Sequence, residues 1–140
     1  MLFRSKGNIK VFDLTLSIDN WGPEAEFVRQ GLDLALFEQR MAWAASQGDW
    51  LRLNVNQTIT SMTMRTMPEL IEKVNQYNKT KHIGHYFQFV TGPNSFQHPK
   101  HFPYSFWSET FDRIFSLLSD NEDQQSRMKA VQKQLQQSTE

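Results

Sequence analysis

Five polar residues near the ends of two alternating segments have the side chains and spacing of a small-ligand site. Ser17 and Asp19 end the first segment and are followed by Arg29, while Asn56 and Thr58 end the second segment. A serine hydroxyl and an asparagine amide suit ribose hydroxyls, whereas a guanidinium fork suits a carboxylate. Together these groups predict a site for a ligand such as an amino-acid nucleoside.

These residues also have a structural interpretation. Ser17 and Asp19 can form a turn after a strand, because both side chains bond readily to nearby backbone groups. Arg29 is of a residue type that is common near the carboxyl end of a surface helix. The residue types alone leave both interpretations open.

The four histidines form two pairs with His-x2-His spacing, His82 with His85 and His98 with His101. Four imidazoles can hold a zinc ion. This spacing brings two imidazoles together on a helix, however, and the pairs fall at a predicted strand start and in a proline-rich loop. We therefore predict no metal site in this chain.

Alternation of apolar and polar residues places the five candidate residues on strands. The pattern predicts one strand over residues 10–19, a second over 51–59 and a third over about 85–91. Helices are predicted over about 23–30, from an Asp33 N-cap to Gly48, over 68–78 and over about 105–118. The order of strand then helix, repeated along the chain, predicts an α/β fold with parallel strands and right-handed crossovers.

Two of the predicted strands have one polar face, although parallel strands are usually covered on both faces. Each polar group buried there without a partner would cost about 1–3 kcal/mol. The polar face is therefore expected to line the inside of an open or partial barrel, or to border a ligand site at the carboxyl ends of the strands. An antiparallel sheet with one wet face is the alternative, and the intervening helices argue against it.

Composition limits the classes of partner. The chain has 140 residues, 15 of them basic and 15 acidic, so it suits one domain and has no net field to attract nucleic acid or an anionic membrane. No stretch approaches the roughly 18 apolar residues of a membrane span. Cysteine is absent, which excludes thiol chemistry within this chain. We expect a cytoplasmic protein with a core over residues 1–118 and a polar, Gln-rich, helical or disordered tail over residues 119–140.

From about residue 10 to residue 118 the chain resembles the radical S-adenosylmethionine enzymes, and among them the proteins called twitch domain-containing. The likeness lies in the stretches LSIDNWGPEAEFVRQGLDLALFEQ, NVNQTITSMTMRTMPELIE and FVTGPNSFQHPKHFP. They are similar to the family's fourth, fifth and sixth strands with the segments that follow them. The resemblance implies three consecutive β/α units of a partial (β/α)6 TIM-like barrel with parallel strands.

The resemblance also implies a cofactor and a reaction. Ser17 would contact the ribose of S-adenosylmethionine, Arg29 its methionyl carboxylate, and Asn56 the ribose or the methionyl part. Asp19 and Thr58 would line the same cavity. Family members reduce S-adenosylmethionine at a 4Fe-4S cluster bound by a Cys-x3-Cys-x2-Cys loop, and the resulting 5'-deoxyadenosyl radical abstracts hydrogen from the substrate.

The chain departs from this family at the cluster, because it has no cysteine. The resemblance then implies the carboxyl half of such an enzyme, with the first half of the barrel missing. This half is expected to be inactive alone. The substrate is unknown and could be a peptide. The alternative is a non-catalytic β/α binding module that assembles with a partner. The open sheet edge beside residues 10–19 favours association of this kind.

Overall fold

The computed structural model describes residues 9–138, and these form an α/β fold around one three-stranded sheet. The strands are parallel and lie in the order β1-β2-β3. Their bounds are Phe12–Ser17 for β1, Leu51–Ile59 for β2 and Ile83–Phe89 for β3. The first eight residues of the predicted core and the last two of the predicted tail lie outside the described residues.

Five α-helices accompany the sheet in the described part of the chain. The crossover from β1 to β2 contains α1 and α2, and the crossover from β2 to β3 contains α3. Two more helices follow β3. The bounds are Pro23–Val28 for α1, Leu34–Ala45 for α2, Met67–Asn78 for α3, Ser108–Leu117 for α4 and Glu122–Gln137 for α5.

The predicted α/β class and parallel strands are confirmed, and β2 has the predicted bounds. β1 is two residues shorter than predicted at each end, and the chain turns towards α1 after the Ile18 N–H bonds to the Asn56 carbonyl. β3 begins two residues earlier than predicted. The Asn78 side chain accepts a hydrogen bond from the Ile83 backbone N–H at 2.7 Å, and Ile83 already pairs with Leu53.

Local signals set several of the helix ends as predicted. Asp33 caps α2, its carboxylate accepting the Leu36 N–H at 2.9 Å. Proline occupies the first turn of α1 and of α3. α1 ends at Val28, and Gly31 follows with a φ of 84°, a left-handed conformation that glycine adopts without strain.

The two faces of the sheet differ sharply. The apolar face, which includes Leu53, Val55 and Ile83, packs against α2 and α3 and is buried. The other face is polar, and its residues are exposed or half-buried. We call it the open polar face; its members are Asp13, Thr15, Ser17, Arg52, Asn54, Asn56, Thr58, Gly84, Tyr86 and Gln88.

Gly84 lies close to two side chains on the open polar face. A Cβ atom at this position would overlap the Asn54 side-chain oxygen and would lie 3.2 Å from the Tyr86 ring. Asn54 and Gly84 are register partners on neighbouring strands. The absence of a Cβ atom at Gly84 therefore leaves room for the Asn54 side chain and the Tyr86 ring.

The core extends beyond residue 118, into the predicted polar tail. The tail is helical, but α5 packs into the core through Met128, Val131 and Leu135, which are all buried. Three apolar residues at helical spacing are enough here, because they meet apolar side chains of β3 and α4 in one cluster. No described helix is long and apolar enough to cross a membrane.

Candidate functional site

The candidate site lies where β1 and β2 end, and Asp19 is at its centre. One Asp19 carboxylate oxygen accepts the Thr58 backbone N–H at 2.9 Å, and the other lies 3.1 Å from Nη2 of Arg29. The Asp19 backbone carbonyl accepts the Gln57 side-chain amide at 2.8 Å. Asp19 therefore joins the end of β1 to the end of β2 and to the segment after α1.

Arg29 reaches this point because α1 is short and turns the chain back over the strand ends. Its Nη1 donates to the Ser17 backbone carbonyl at 2.8 Å. The Arg29 side chain keeps 42% of its surface exposed, against 15% for Asp19. Since a guanidinium has five N–H donors, Arg29 can bind a further anion without losing these two contacts.

Ser17 and Asn56 are direct register partners on the open polar face. Among the described residues, the Ser17 hydroxyl, the Asn56 amide and the Thr58 hydroxyl form no hydrogen bond. All three groups lie beside the Asp19–Arg29 ion pair and are accessible to water or to a ligand.

The structure thus brings all five sequence-predicted residues to one end of the sheet, but it gives them two kinds of role. Asp19 holds the strand ends together, which agrees with the turn interpretation. Ser17, Asn56 and Thr58 present unpaired polar side chains. Arg29 has both roles, since it bonds to the end of β1 and also keeps free N–H groups. Whether they bind a ligand stays a prediction.

Sequence reasoning missed a buried polar relay beneath the site. Gln57 is fully buried on the helix-covered face, and its Oε1 lies 2.9 Å from Nε2 of His85. Because an amide oxygen only accepts, the hydrogen bond requires that this His85 nitrogen carry the proton. The signal was present, since Gln57 interrupts the apolar series of β2.

Burial, with a smaller contribution from the nearby Arg127 cation, lowers the pKa of His85 from 6.5 to about 3. His85 is therefore neutral in the folded protein at physiological pH. Its backbone carbonyl accepts the Gln124 side-chain amide of α5 at 3.2 Å. Through Gln57 and His85, the backbone of Asp19 is connected to α5 at the far edge of the sheet.

The paired histidines do not converge. His85 is buried while His82 is exposed, His98 accepts the Lys100 N–H at 3.0 Å, and the His101 ring lies 3.2 Å from the Ser95 carbonyl. Within residues 9–138, no group of three or more His, Cys, Asp or Glu side chains is placed to hold a metal ion.

The chemistry of the site fits a nucleoside that carries a carboxylate better than it fits a metal cluster. Hydroxyl and amide groups stand next to a cation with spare donors, as such a ligand needs. Thiolate ligands for an iron-sulfur cluster are absent from the chain, which has no cysteine. This chain by itself cannot bind the cluster that the family resemblance implies.

Comparison with protein-family models, with curated proteins and with solved structures found no match to this chain. The function is therefore argued from the geometry of the strand ends.

Proposed function

We propose that this chain provides the S-adenosylmethionine-binding part of a radical S-adenosylmethionine enzyme. The observation that supports this proposal best is the set of unpaired polar groups where two parallel strands end. Ligands of parallel α/β sheets bind at the carboxyl ends of the strands. The Ser17 hydroxyl and the Asn56 amide stand there side by side, next to the Arg29 guanidinium.

Each side chain has a distinct role in this proposal. Ser17 and Asn56 bond to the ribose hydroxyls, and Thr58 lines the same cavity. The free N–H groups of Arg29 bind the methionyl carboxylate. Asp19 holds the guanidinium in place, so we assign it a positioning role rather than direct contact with the ligand.

The open polar face supports the proposal that this site lies inside a partial barrel. A parallel sheet face that no described helix covers is unusual, and the inside of a partial barrel accounts for it. In this proposal the three strands are consecutive β/α units of a partial (β/α)6 barrel, and further strands pair with the outer edge of β1. The cluster cysteines then belong to another part of a longer protein or to another chain, and the present chain alone is expected not to cleave S-adenosylmethionine.

Calorimetric titration with S-adenosylmethionine tests the proposed site. We expect weak binding, with Kd on the order of 1 mM, because only part of the ligand is surrounded. Ser17→Ala and Asn56→Ala should each weaken binding by about tenfold, since a lost hydrogen bond of about 1.4 kcal/mol has that effect. Neither substitution removes a bond that holds the fold, because only their backbone groups are used within the described chain.

The matched control is Ser126→Ala, which removes an exposed hydroxyl on α5, away from the site. Binding equal to that of the unmodified chain is expected for this control. Absence of any binding heat at millimolar ligand, or equal binding by the Ser17 and Asn56 variants, would contradict the proposal.

A second candidate function, a non-catalytic module that assembles with a partner, is favoured by the outer edge of β1. Ile18 donates its N–H to the Asn56 carbonyl at 3.2 Å, so alternate residues of β1 bond to β2. Asp13 and Thr15 then direct their backbone groups away from the sheet. No described residue bonds to them there, and such an edge can accept a strand from another molecule.

A further inference from the structure

A groove separates β3 from α5 on the side of the sheet opposite β1. It has a volume of about 560 Å³ and is lined by residues 86–89 of β3 and by Arg127, Ala130, Val131 and Gln134 of α5. α5 meets the strand at His85, where the Gln124 amide donates to the His85 carbonyl at 3.2 Å. The groove lies beyond this contact, between the outer edge of β3 and the exposed side of α5.

The backbone of β3 offers hydrogen bonds to this groove. Val90 donates its N–H to the Ile59 carbonyl at 3.1 Å. Because the groups of a parallel strand point alternately to its two sides, Phe87 and Phe89 direct their N–H and C=O groups away from β2. No side chain or loop among the described residues bonds to them.

The two walls of the groove differ in chemistry. On the helix-covered side, Phe87 and Phe89 pack against the cluster that contains Val131. On the other side, the Arg127 guanidinium lies 4.9 Å from the centre of the Tyr86 ring. Asp123 pairs with Arg127 at 3.0 Å but is itself 70% exposed, so the pair is weak and Arg127 remains able to bind another carboxylate.

An extended peptide matches these features. A strand presents backbone groups at two-residue spacing, as Phe87 and Phe89 require, and its side chains alternate between two sides. Apolar side chains would meet the phenylalanine wall, and an acidic side chain on the other side would meet Arg127. We propose that this groove binds an extended peptide with alternating apolar and polar residues and one acidic residue, as a fourth strand of the sheet.

This binding site is separate from the strand ends that hold the proposed S-adenosylmethionine site, and it does not depend on that proposal. The test uses a capped synthetic peptide of about eight alternating valine and threonine residues with one threonine replaced by glutamate. A second peptide has lysine in place of the glutamate, and a third has methylated backbone nitrogens. Binding is followed by NMR of the amide groups of the full chain.

The glutamate peptide should shift the amide signals of Phe87, Phe89 and the groove-lining part of α5. It should bind about tenfold more tightly than the lysine peptide, because only the former complements Arg127. The methylated peptide should not bind, since it cannot form the strand ladder. Arg127→Gln should remove the preference for glutamate over lysine.

Ala130→Trp should weaken binding by about tenfold or more, because the indole fills the groove. Ala130 is exposed, so the fold is expected to tolerate the change. Lys129→Trp places the same bulk on the side of the helix away from the groove and should bind the peptide normally. Unchanged binding by Ala130→Trp would overturn the proposal, as would signal shifts confined to other surfaces. Self-association abolished by Ala130→Trp in the absence of peptide would overturn it in favour of a second copy as the occupant.

Discussion

At the scale of single residues, Asp19 fixes the end of β1, because it bonds both to β2 and to Arg29. Its carboxylate receives the Thr58 N–H and lies beside Arg29, and its carbonyl receives the Gln57 amide. A residue with this many partners is held rigidly. Its neighbours Ser17 and Asn56, by contrast, have unpaired side chains that a ligand can use.

Asp19→Ala should lower the free energy of unfolding by about 1–3 kcal/mol, because it leaves the half-buried Thr58 N–H without an acceptor. Asp19→Asn keeps an acceptor oxygen and loses only the ion pair with the partly exposed Arg29. That change should cost about 0–1 kcal/mol. Urea unfolding of both variants measures the difference, and equal losses would show that the bond to Thr58 contributes nothing.

The lowered pKa of His85, about 3 in the folded protein against 6.5 for a free histidine, predicts a pH dependence of stability. Between these values the unfolded chain binds a proton that the folded chain does not. The contribution of His85 to the free energy of unfolding should therefore be fully present above pH 6.5 and should be lost as the pH drops towards 3. The slope from this single group approaches about 1.4 kcal/mol per pH unit.

His85→Gln is the comparison for this dependence, because a glutamine can still bond to Gln57 but does not titrate. Urea unfolding between pH 4.5 and 7 should give a shallower slope for the variant than for the unmodified chain. Parallel slopes for the two proteins would show that His85 is not the group responsible.

Sequence patterns predicted which polar residues lie together at the strand ends but not how these residues bond to one another. Ser17, Asp19, Asn56 and Thr58 follow from alternation, because period two fixes the face of each side chain. The partners of Arg29 depend on the path of the chain through the turn, which alternation does not specify. Gln57 was overlooked because one polar residue in an apolar series gives no indication of its partner.

At the scale of elements, α5 shows how a polar helix becomes part of a core. Its apolar positions are few, and sequence alone favoured a solvated tail. The apolar surface of β3 and α4 that covers them is formed only by the tertiary fold, so no local pattern in residues 119–140 reveals it. α3 was predictable from its own sequence, since Leu70, Ile71 and Val74 repeat at helical spacing and are all buried.

Met128→Ala should lower the free energy of unfolding by about 2–5 kcal/mol, as expected for truncation of a fully buried side chain. Lys129→Ala, one position further along and exposed, should change it by less than about 0.5 kcal/mol. Chemical denaturation of both variants measures the contrast. A Met128 variant as stable as the Lys129 variant would mean that α5 does not pack on the core.

The sheet itself gives a prediction at Gly84. Gly84→Ala should destabilise the protein by about 0.5–1.5 kcal/mol, because the Asn54 side chain must turn away from the added Cβ. Asn54→Ala in the same chain should recover much of this loss by removing the overlapping oxygen. Unfolding of the two single variants and the double variant tests this coupling, and strictly additive effects would contradict it.

At the scale of the whole molecule, the outstanding feature is a parallel sheet with helices on one face and polar side chains on the other. The parallel direction of the strands followed from the sequence, since each pair of consecutive strands is separated by a helix. Whether the sheet closes into a barrel depends on chain segments beyond the three strands. The sequence of these strands therefore could not decide it.

If the outer edge of β1 accepts a strand from another molecule, the chain should associate in solution and Thr15→Pro should reduce that association. Proline removes the N–H that points outward while leaving the ladder to β2 intact. Sedimentation over a range of concentrations measures the association. Thr80→Ala, at an exposed position away from β1, is the control. A monomer at every concentration would count against this second candidate function.

At each edge of the sheet, one side chain bonds to an outward-facing backbone carbonyl. The Arg29 guanidinium covers the outward carbonyl of Ser17 on β1, and the Gln124 amide covers that of His85 on β3. An incoming strand can therefore pair with only a short stretch of either border. Exposed strand edges can pair with further strands and grow into fibrils, and at each margin one side chain occupies a backbone group that such growth would use.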